Sequence, residues 1–291
     1  MFLIIIITGA TGQLGQAVVE KLLQRVPADH LGVSVRDPER AKELQKRGVR
    51  VRRGDYTDPS SLLHAFEGAS QVLIVSSNVL GDEAVRQHRT AIDMAKEAGA
   101  GRILYTSHMS SSQTSHFPPA VDHAATEEAL KASGVPFTSL RNAYYTASLP
   151  WFLRDALKTG ELVAPEDGPV AWTTHADLAE ATATVLNEQN LSGLTPSLTA
   201  SEALDLNEIA AILTELTGRS IRRVVVSDDE FRAQLRSQGL QDHVADMFLT
   251  FFLASRAGEF APADPALANL IGRPAISVRE FLTSSPHLIG M

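Results

Sequence analysis

A chain of 291 residues with 44% hydrophobic and 21% charged side chains holds enough apolar material for a nucleotide-binding domain plus a smaller lobe, which excludes disordered and fibrous classes. Its net charge of −8 repels phosphate backbones, so no nucleic-acid partner is expected. The absence of cysteine removes disulfides, thiolate nucleophiles, iron–sulfur clusters and cysteine-ligated zinc, and it suits a cytoplasmic protein.

The run Met1-Phe2-Leu3-Ile4-Ile5-Ile6-Ile7 has no basic leader and is far shorter than the ~20 apolar residues of a membrane span. It reads as a buried strand, and neither a membrane nor a targeting segment is expected. Through residue 148, apolar β-branched runs alternate with amphipathic stretches, the pattern of right-handed βαβ units on a parallel sheet. The spacing predicts strands centred on Leu3–Thr8, Gly32–Arg36, Val49–Arg53, Gln71–Val75, Arg102–Thr106 and Phe137–Arg141. Helices are predicted over Gly15–Leu23, Pro38–Lys46, Ser60–Phe66, Ala84–Ala98 and His123–Ala132, the last four closed by left-handed glycines at 48, 68, 99 and 134. The third strand mixes Val49 and Val51 with Arg50, Arg52 and Arg53. That suits the edge of a doubly wound sheet of order 3-2-1-4-5 better than a nucleic-acid patch.

Beyond Tyr145 the pattern blurs into helical stretches near Leu149–Thr159, His175–Asn187, Ala203–Thr217, Asp228–Ser237, His243–Arg256 and Val278–Ser284. The expected fold is therefore α/β: a Rossmann doubly wound parallel sheet over 1–148 with a smaller C-terminal substrate lobe over 149–291, partly interleaved with the first domain. Phe248, Phe251 and Phe252 recur at helical spacing and read either as lobe core or as the face of a homodimer.

The first strand runs straight into Thr8-Gly9-Ala10-Thr11-Gly12-Gln13-Leu14-Gly15, which opens a helix. Gly9 permits a tight turn, Gly12 lets backbone approach a pyrophosphate, and Gly15 lets the helix pack on the sheet. Gly9, Thr11, Gly12, Gln13, Leu14 and Gly15 are thus candidate dinucleotide contacts at a helix N-terminus. No Gly-Lys dipeptide occurs, so a P-loop is excluded. The second strand ends in Arg36 rather than an acid, with Arg40 one turn on, and guanidinium forks there fit the 2′-phosphate of NADP(H). Gly54-Asp55-Tyr56 ends the third strand, where Asp55 is placed to reach the adenine by its carboxylate or backbone, a simple turn being the alternative, and Asp55 and Tyr56 are both candidate cofactor contacts. Ser76, Ser77 and Asn78, Thr106 and Ser107, and Asn142 follow strands four to six, where an open α/β sheet binds ligands.

These motifs, with Gln87-His88, Tyr105-Thr106-Ser107 and Leu140-Arg141-Asn142-Ala143-Tyr144-Tyr145, resemble the atypical short-chain dehydrogenase/reductases of the NmrA-like family over nearly the whole chain, most strongly before Tyr145. Within that family the chain looks most similar to its quinone and triphenylmethane reductases. The resemblance implies hydride transfer from NADPH to a small-molecule electron acceptor, a quinone or related conjugated, electron-poor aromatic compound. The Tyr-x-x-x-Lys of typical superfamily members is missing, and His123 stands where several relatives carry lysine. The alternative is an NAD(P)-binding redox sensor without turnover.

His123 is the nearby residue whose ordinary pKa suits proton transfer around neutrality, and Tyr145 offers a hydroxyl to an acceptor; both are candidate catalytic residues. A helix histidine bonded to backbone and a core tyrosine are the structural alternatives. No His-x-x-x-His spacing points to a metal, and no Gly-x-Ser-x-Gly elbow points to a hydrolase.

Overall fold

Three successive isoleucines, Ile5 to Ile7, are buried together, which requires both faces of a strand to be covered. In the computed structural model, which describes residues 4–188 and 191–288, that strand is β1 (Ile4–Thr8), inside a parallel sheet. The chain continues through α1 (Gln13–Leu23), β2 (Leu31–Val35), α2 (Lys42–Lys46), β3 (Arg50–Arg53), α3 (Pro59–Phe66), β4 (Ala69–Ile74), α4 (Asp82–Glu97), β5 (Arg102–His108), α5 (Pro118–Ser133) and β6 (Phe137–Asn142). It then forms α6 (Leu149–Thr159), β7 (Glu161–Pro165), α7 (His175–Glu188), β8 (Gly193–Leu194), α8 (Leu206–Thr217), β9 (Arg222–Val226), α9 (Asp228–Ser237), α10 (Asp242–Arg256), α11 (Ala266–Ile271) and α12 (Val278–Thr283). All six expected strands are present; Leu3, where the first was expected to begin, lies outside the described residues.

The main sheet has the order β3-β2-β1-β4-β5-β6-β8, parallel throughout. Because it grows one way from β1 and the other way from β4, right-handed crossovers put α1 on one face and α3, α4 and α5 on the other. On the latter face Ile6, Val72, Ile74, Ile103 and Tyr105 meet Leu62, Phe66, Ala91, Ile92 and Leu130. β3 is the edge, and its arginines turn onto neighbouring segments: Arg50 donates to the Ala65 carbonyl at 3.2 Å, Arg52 pairs with Glu67 at 2.9 Å and Arg53 with Asp58 at 2.6 Å.

Two helix boundaries differ from the sequence reading for local reasons. The stretch Pro38–Lys46 breaks at Ala41 (φ −113°, ψ 15°) into a tight 3₁₀ turn and the short α2. α5 begins five residues before His123, because Pro118 and Pro119 occupy a first turn whose N–H groups would have no helical acceptor anyway.

The chain forms two compact units, and a single cut at 148 does not separate them. The first takes residues through Gln113, Pro119–Asn142 and His175–Leu198; the second takes Thr114–Pro118, Ala143–Thr174 and the chain from Thr199 onward. The return of 175–198 to the first unit has a visible cause. α7 packs along α1, with Lys21 3.1 Å from Glu180 and Arg25 donating to Thr184 at 2.7 Å, and β8 pairs with β6.

The second unit contains a parallel pair, β7 and β9, that the sequence reading did not anticipate. The buried Arg223 clamps it, donating to the Ala164 carbonyl at 2.8 Å and to Asp167 at 3.0 Å. Trp172, Phe251, Phe252 and Phe260 are buried in its core, and Phe248 stacks on Trp151 at 4.2 Å. The phenylalanine stripe is therefore lobe core rather than a dimer face. Among the described residues no helix is long and apolar enough to cross a membrane.

Phe252 is fully buried against Phe152, Phe231 and Phe251. Phe252→Ala is expected to cost about 3–5 kcal/mol, read as a lower urea midpoint at unchanged slope. A loss below about 1 kcal/mol would contradict its central place in this core.

Candidate functional site

The turn after β1 is built on contacts that exclude side chains. Gly9 has φ +61°, and the Gly12 N–H donates to its carbonyl at 2.9 Å. A Cβ on Gly15 would lie 2.3 Å from that same Gly9 oxygen, so only glycine lets α1 start this close to the strand. Gly12 is the N-cap of α1, with no side-chain cap and no acidic residue in the first turn. The helix therefore presents free N–H donors and the positive end of its dipole.

Gly12, at that N-terminus, lines a cavity of about 530 Å³ confined to the first unit. Gly9, Thr11, Gly12, Arg36, Asp55, Tyr56, Ser76, Ser77 and Asn78 line it, nine residues gathered from four separate strand ends. Arg36 and Arg40 are exposed residues of its lining. Ser34 and Gln87, which the site reading passed over, line it too. Ser34 sits inside β2, where a serine carries no sequence signal, and it fits only because Gly54 lacks a side chain: a Cβ there would lie 2.0 Å from Ser34 Oγ.

Two hydroxyls in this lining, Ser34 Oγ and Ser77 Oγ, are buried without a hydrogen-bond partner. Orphaned buried hydroxyls cost free energy, and a ligand bearing ribose or phosphate oxygens would remove that cost. A free helix N-terminus, two orphaned hydroxyls and two guanidinium groups in one cavity fit a phosphorylated dinucleotide.

Other expected residues serve the site from behind or lie elsewhere. Gln13, Leu14 and Gly15 are not in the lining, so what they offer is backbone at the α1 N-terminus. The Tyr56 ring lines the cavity, but its hydroxyl donates to the Val75 carbonyl at 2.6 Å and meets Thr8 Oγ1 at 2.6 Å, and burial raises its pKa. One Asp55 oxygen closes its own turn on Thr57, whose N–H bond, with the side-chain bond and Arg36 and Arg53 nearby, holds the carboxyl below its ordinary pKa. Thr106 Oγ1 accepts the Ser76 N–H at 2.9 Å and so shapes the lining without entering it.

Ser107 is turned inward, donating at 2.7 Å to the buried carboxylate of Glu127, which also takes Ser139 at 2.9 Å and Arg141 at 2.6 Å. A buried charge needs every donor within reach, and it takes this hydroxyl away from the cavity. Asn142, also outside the lining, is fully buried with neither amide atom partnered. Tyr145 belongs to the second unit, just ahead of α6, and bridges Thr173.

His123 is on α5, partly buried, with Nδ1 2.6 Å from the Tyr105 hydroxyl and its ring stacked on His108 at 6.1 Å. Burial, reinforced by the neighbouring His108 and His88, pulls its pKa well below the ordinary value. Desolvation disfavours its charged form, which supports the structural alternative for this residue.

The NmrA-like family model matches residues 3–273. The chain is 37% identical to quinone oxidoreductase 2 of Escherichia coli (strain K12) over 280 residues, 96% of this chain and 97% of that protein. The crystal structure of the Escherichia coli NADPH-dependent quinone oxidoreductase complexed with NADPH superposes with a TM-score of 0.92 at 36% identity, covering 97% of this chain and 99% of that one. The Citrobacter sp. triphenylmethane reductase complexed with NADP(H) superposes with a TM-score of 0.89 at 34% identity, again covering 97% and 99%.

The double change Arg36→Asp, Arg40→Ala is expected to weaken NADPH binding at least about tenfold, since a charge-assisted phosphate contact contributes ~1.5–3 kcal/mol, while NADH binding changes little. Titration of both cofactors measures this. Equal weakening of the two would mean the 2′-phosphate sits elsewhere.

Proposed function

The chain belongs to the NmrA-like family, and from that premise we propose that it reduces quinones or related electron-poor aromatic acceptors with NADPH. The coarser statement stands by itself: it is an NAD(P)H-dependent oxidoreductase that binds NADP(H), in keeping with relatives at 34–37% identity along nearly their full length. The observation that carries the proposal is the cavity after β1, where an uncapped helix N-terminus, the orphaned Ser34 and Ser77 hydroxyls and Arg36 with Arg40 are gathered.

In this reading the N–H groups of Gln13, Leu14 and Gly15 at the start of α1 hold the pyrophosphate, and Arg36 and Arg40 hold the 2′-phosphate. Ser34 donates to an adenosine-side oxygen. Ser77 and Asn78, backed by Thr106 through Ser76, orient the nicotinamide half. NADPH, when bound, supplies the hydride, and the protein supplies position and polarity. Because burial disfavours a charged His123, water supplies the protons that complete reduction of a quinone in this reading.

NADPH absorbance followed against benzoquinones, naphthoquinones and cationic triphenylmethane dyes tests the proposal. Oxidation above the buffer rate with at least one quinone, faster with NADPH than with NADH, is expected. Tight NADPH binding with no oxidation by any acceptor would overturn the quinone reading and favour a redox sensor that binds without turnover.

A further inference from the structure

The segment between β4 and α4 lines the cavity with Ser76, Ser77, Asn78 and Val79, yet it belongs to no helix or strand. Side chains from four other elements take four of its N–H groups, as buried backbone outside a ladder requires. The Val75 N–H donates to Thr8 Oγ1 at 2.8 Å, that of Ser76 to Thr106 Oγ1 at 2.9 Å, that of Ser77 to His88 Nε2 at 2.9 Å and that of Gly81 to an Asp122 oxygen at 2.8 Å. His88 itself is buried on α4 and does not line the cavity, although its neighbour Gln87 does. A backbone N–H can only donate, so His88 Nε2 is the acceptor and is bare, a lone pair that an imidazolium does not have. Burial acts in the same direction, lowering the His88 pKa to about 4. On its other side Nδ1 lies 3.0 Å from Thr126 Oγ1, which braces the ring against α5.

The residue that His88 holds carries one of the orphaned hydroxyls of the lining. Ser76 Oγ accepts from Thr106 at 3.3 Å, whereas Ser77 Oγ is buried without a partner. The Ser77 peptide is thus anchored through its N–H while its hydroxyl is left for a ligand. We infer that His88 is a positioning residue for the cofactor: through its bond to the Ser77 N–H it holds the Ser77 hydroxyl ready for the nicotinamide half of NADPH. The inference rests on the placement of that half at Ser77 and Asn78 in the proposed reductase. Because Ser34, Arg36 and Arg40 serve the adenosine half there, His88 acts on one half of the dinucleotide and not on the other.

Binding of NADPH and of adenosine 2′,5′-bisphosphate, which lacks the nicotinamide half, to the full chain separates the two. His88→Leu removes the acceptor and Ser77→Ala removes the hydroxyl. Each is expected to weaken NADPH binding about three- to tenfold, the worth of one neutral hydrogen bond, with the bisphosphate affinity unchanged. His88→Gln, whose amide oxygen can reach the place of Nε2, is expected to restore NADPH affinity. In the Ser77→Ala chain, His88→Leu is expected to add no further loss, because both changes remove one interaction. Additive losses, a loss of bisphosphate binding equal to that of NADPH, or a loss in His88→Gln as large as in His88→Leu would overturn the inference. Two-bond ¹H–¹⁵N spectra of the wild type labelled at histidine, with His88 assigned by signal loss in His88→Gln, decide even where His88→Leu folds poorly. A bare Nε2 at neutral pH is expected, and a protonated Nε2 would overturn the contact on which the inference stands. Wild-type NADPH affinity in Ser77→Ala would overturn the placement of the nicotinamide half, and a loss in Ser77→Ala with none in His88→Leu counts against this inference alone.

Discussion

A Cβ on residue 15 would lie 2.3 Å from the Gly9 carbonyl oxygen, and much of the first unit is arranged around the close approach that this forbids. The approach lets α1 begin within a few residues of β1, so its uncapped N–H groups emerge at the end of the sheet where strands diverge. The same tight start lets α1 bury Val18, Val19 and Leu22 and carry Lys21 and Arg25 against α7. Ligand site and recruitment of α7 into the first unit thus depend on one contact between two glycines.

Buried polar groups are sorted sharply around the strand ends. Glu127 on α5 meets Arg141 on β6 with its other partners in reach, Ser107 and Ser139 included, as a carboxylate removed from water requires. Ser34 and Ser77, a few strands away, are left orphaned in the cavity lining, a small standing cost that a bound dinucleotide would remove. Serine is thus used in two opposite ways: satisfied where it braces the sheet, unsatisfied where it awaits a ligand.

The histidines extend this economy. Burial among the surrounding helices and sheet lowers the pKa of both His88 and His123. Their ring nitrogens meet one backbone N–H, one threonine and one tyrosine hydroxyl. Ser77 both lines the cavity and donates its backbone N–H to His88.

By itself the sequence determined what short-range rules control. The isoleucine run requires a doubly covered strand, the Gly9, Gly12 and Gly15 spacing requires the turn, and the glycines at 48, 68, 99 and 134 all take positive φ. Arg36 at the end of β2, where an acid would select NAD, follows from local strand register in the same way. Tertiary structure alone decided the rest. Whether a serine faces a ligand or a buried carboxylate depends on what lies across from it: Ser107 meets Glu127, 20 residues away, whereas Ser34 is admitted by the bare backbone of Gly54, 20 residues away. The β7–β9 pair is joined over 61 residues, and α7 returns to α1 across 159. The pKa of His123 is lowered by neighbours that no spacing along the chain encodes, because desolvation and hydrogen-bond partnership arise only when distant segments pack.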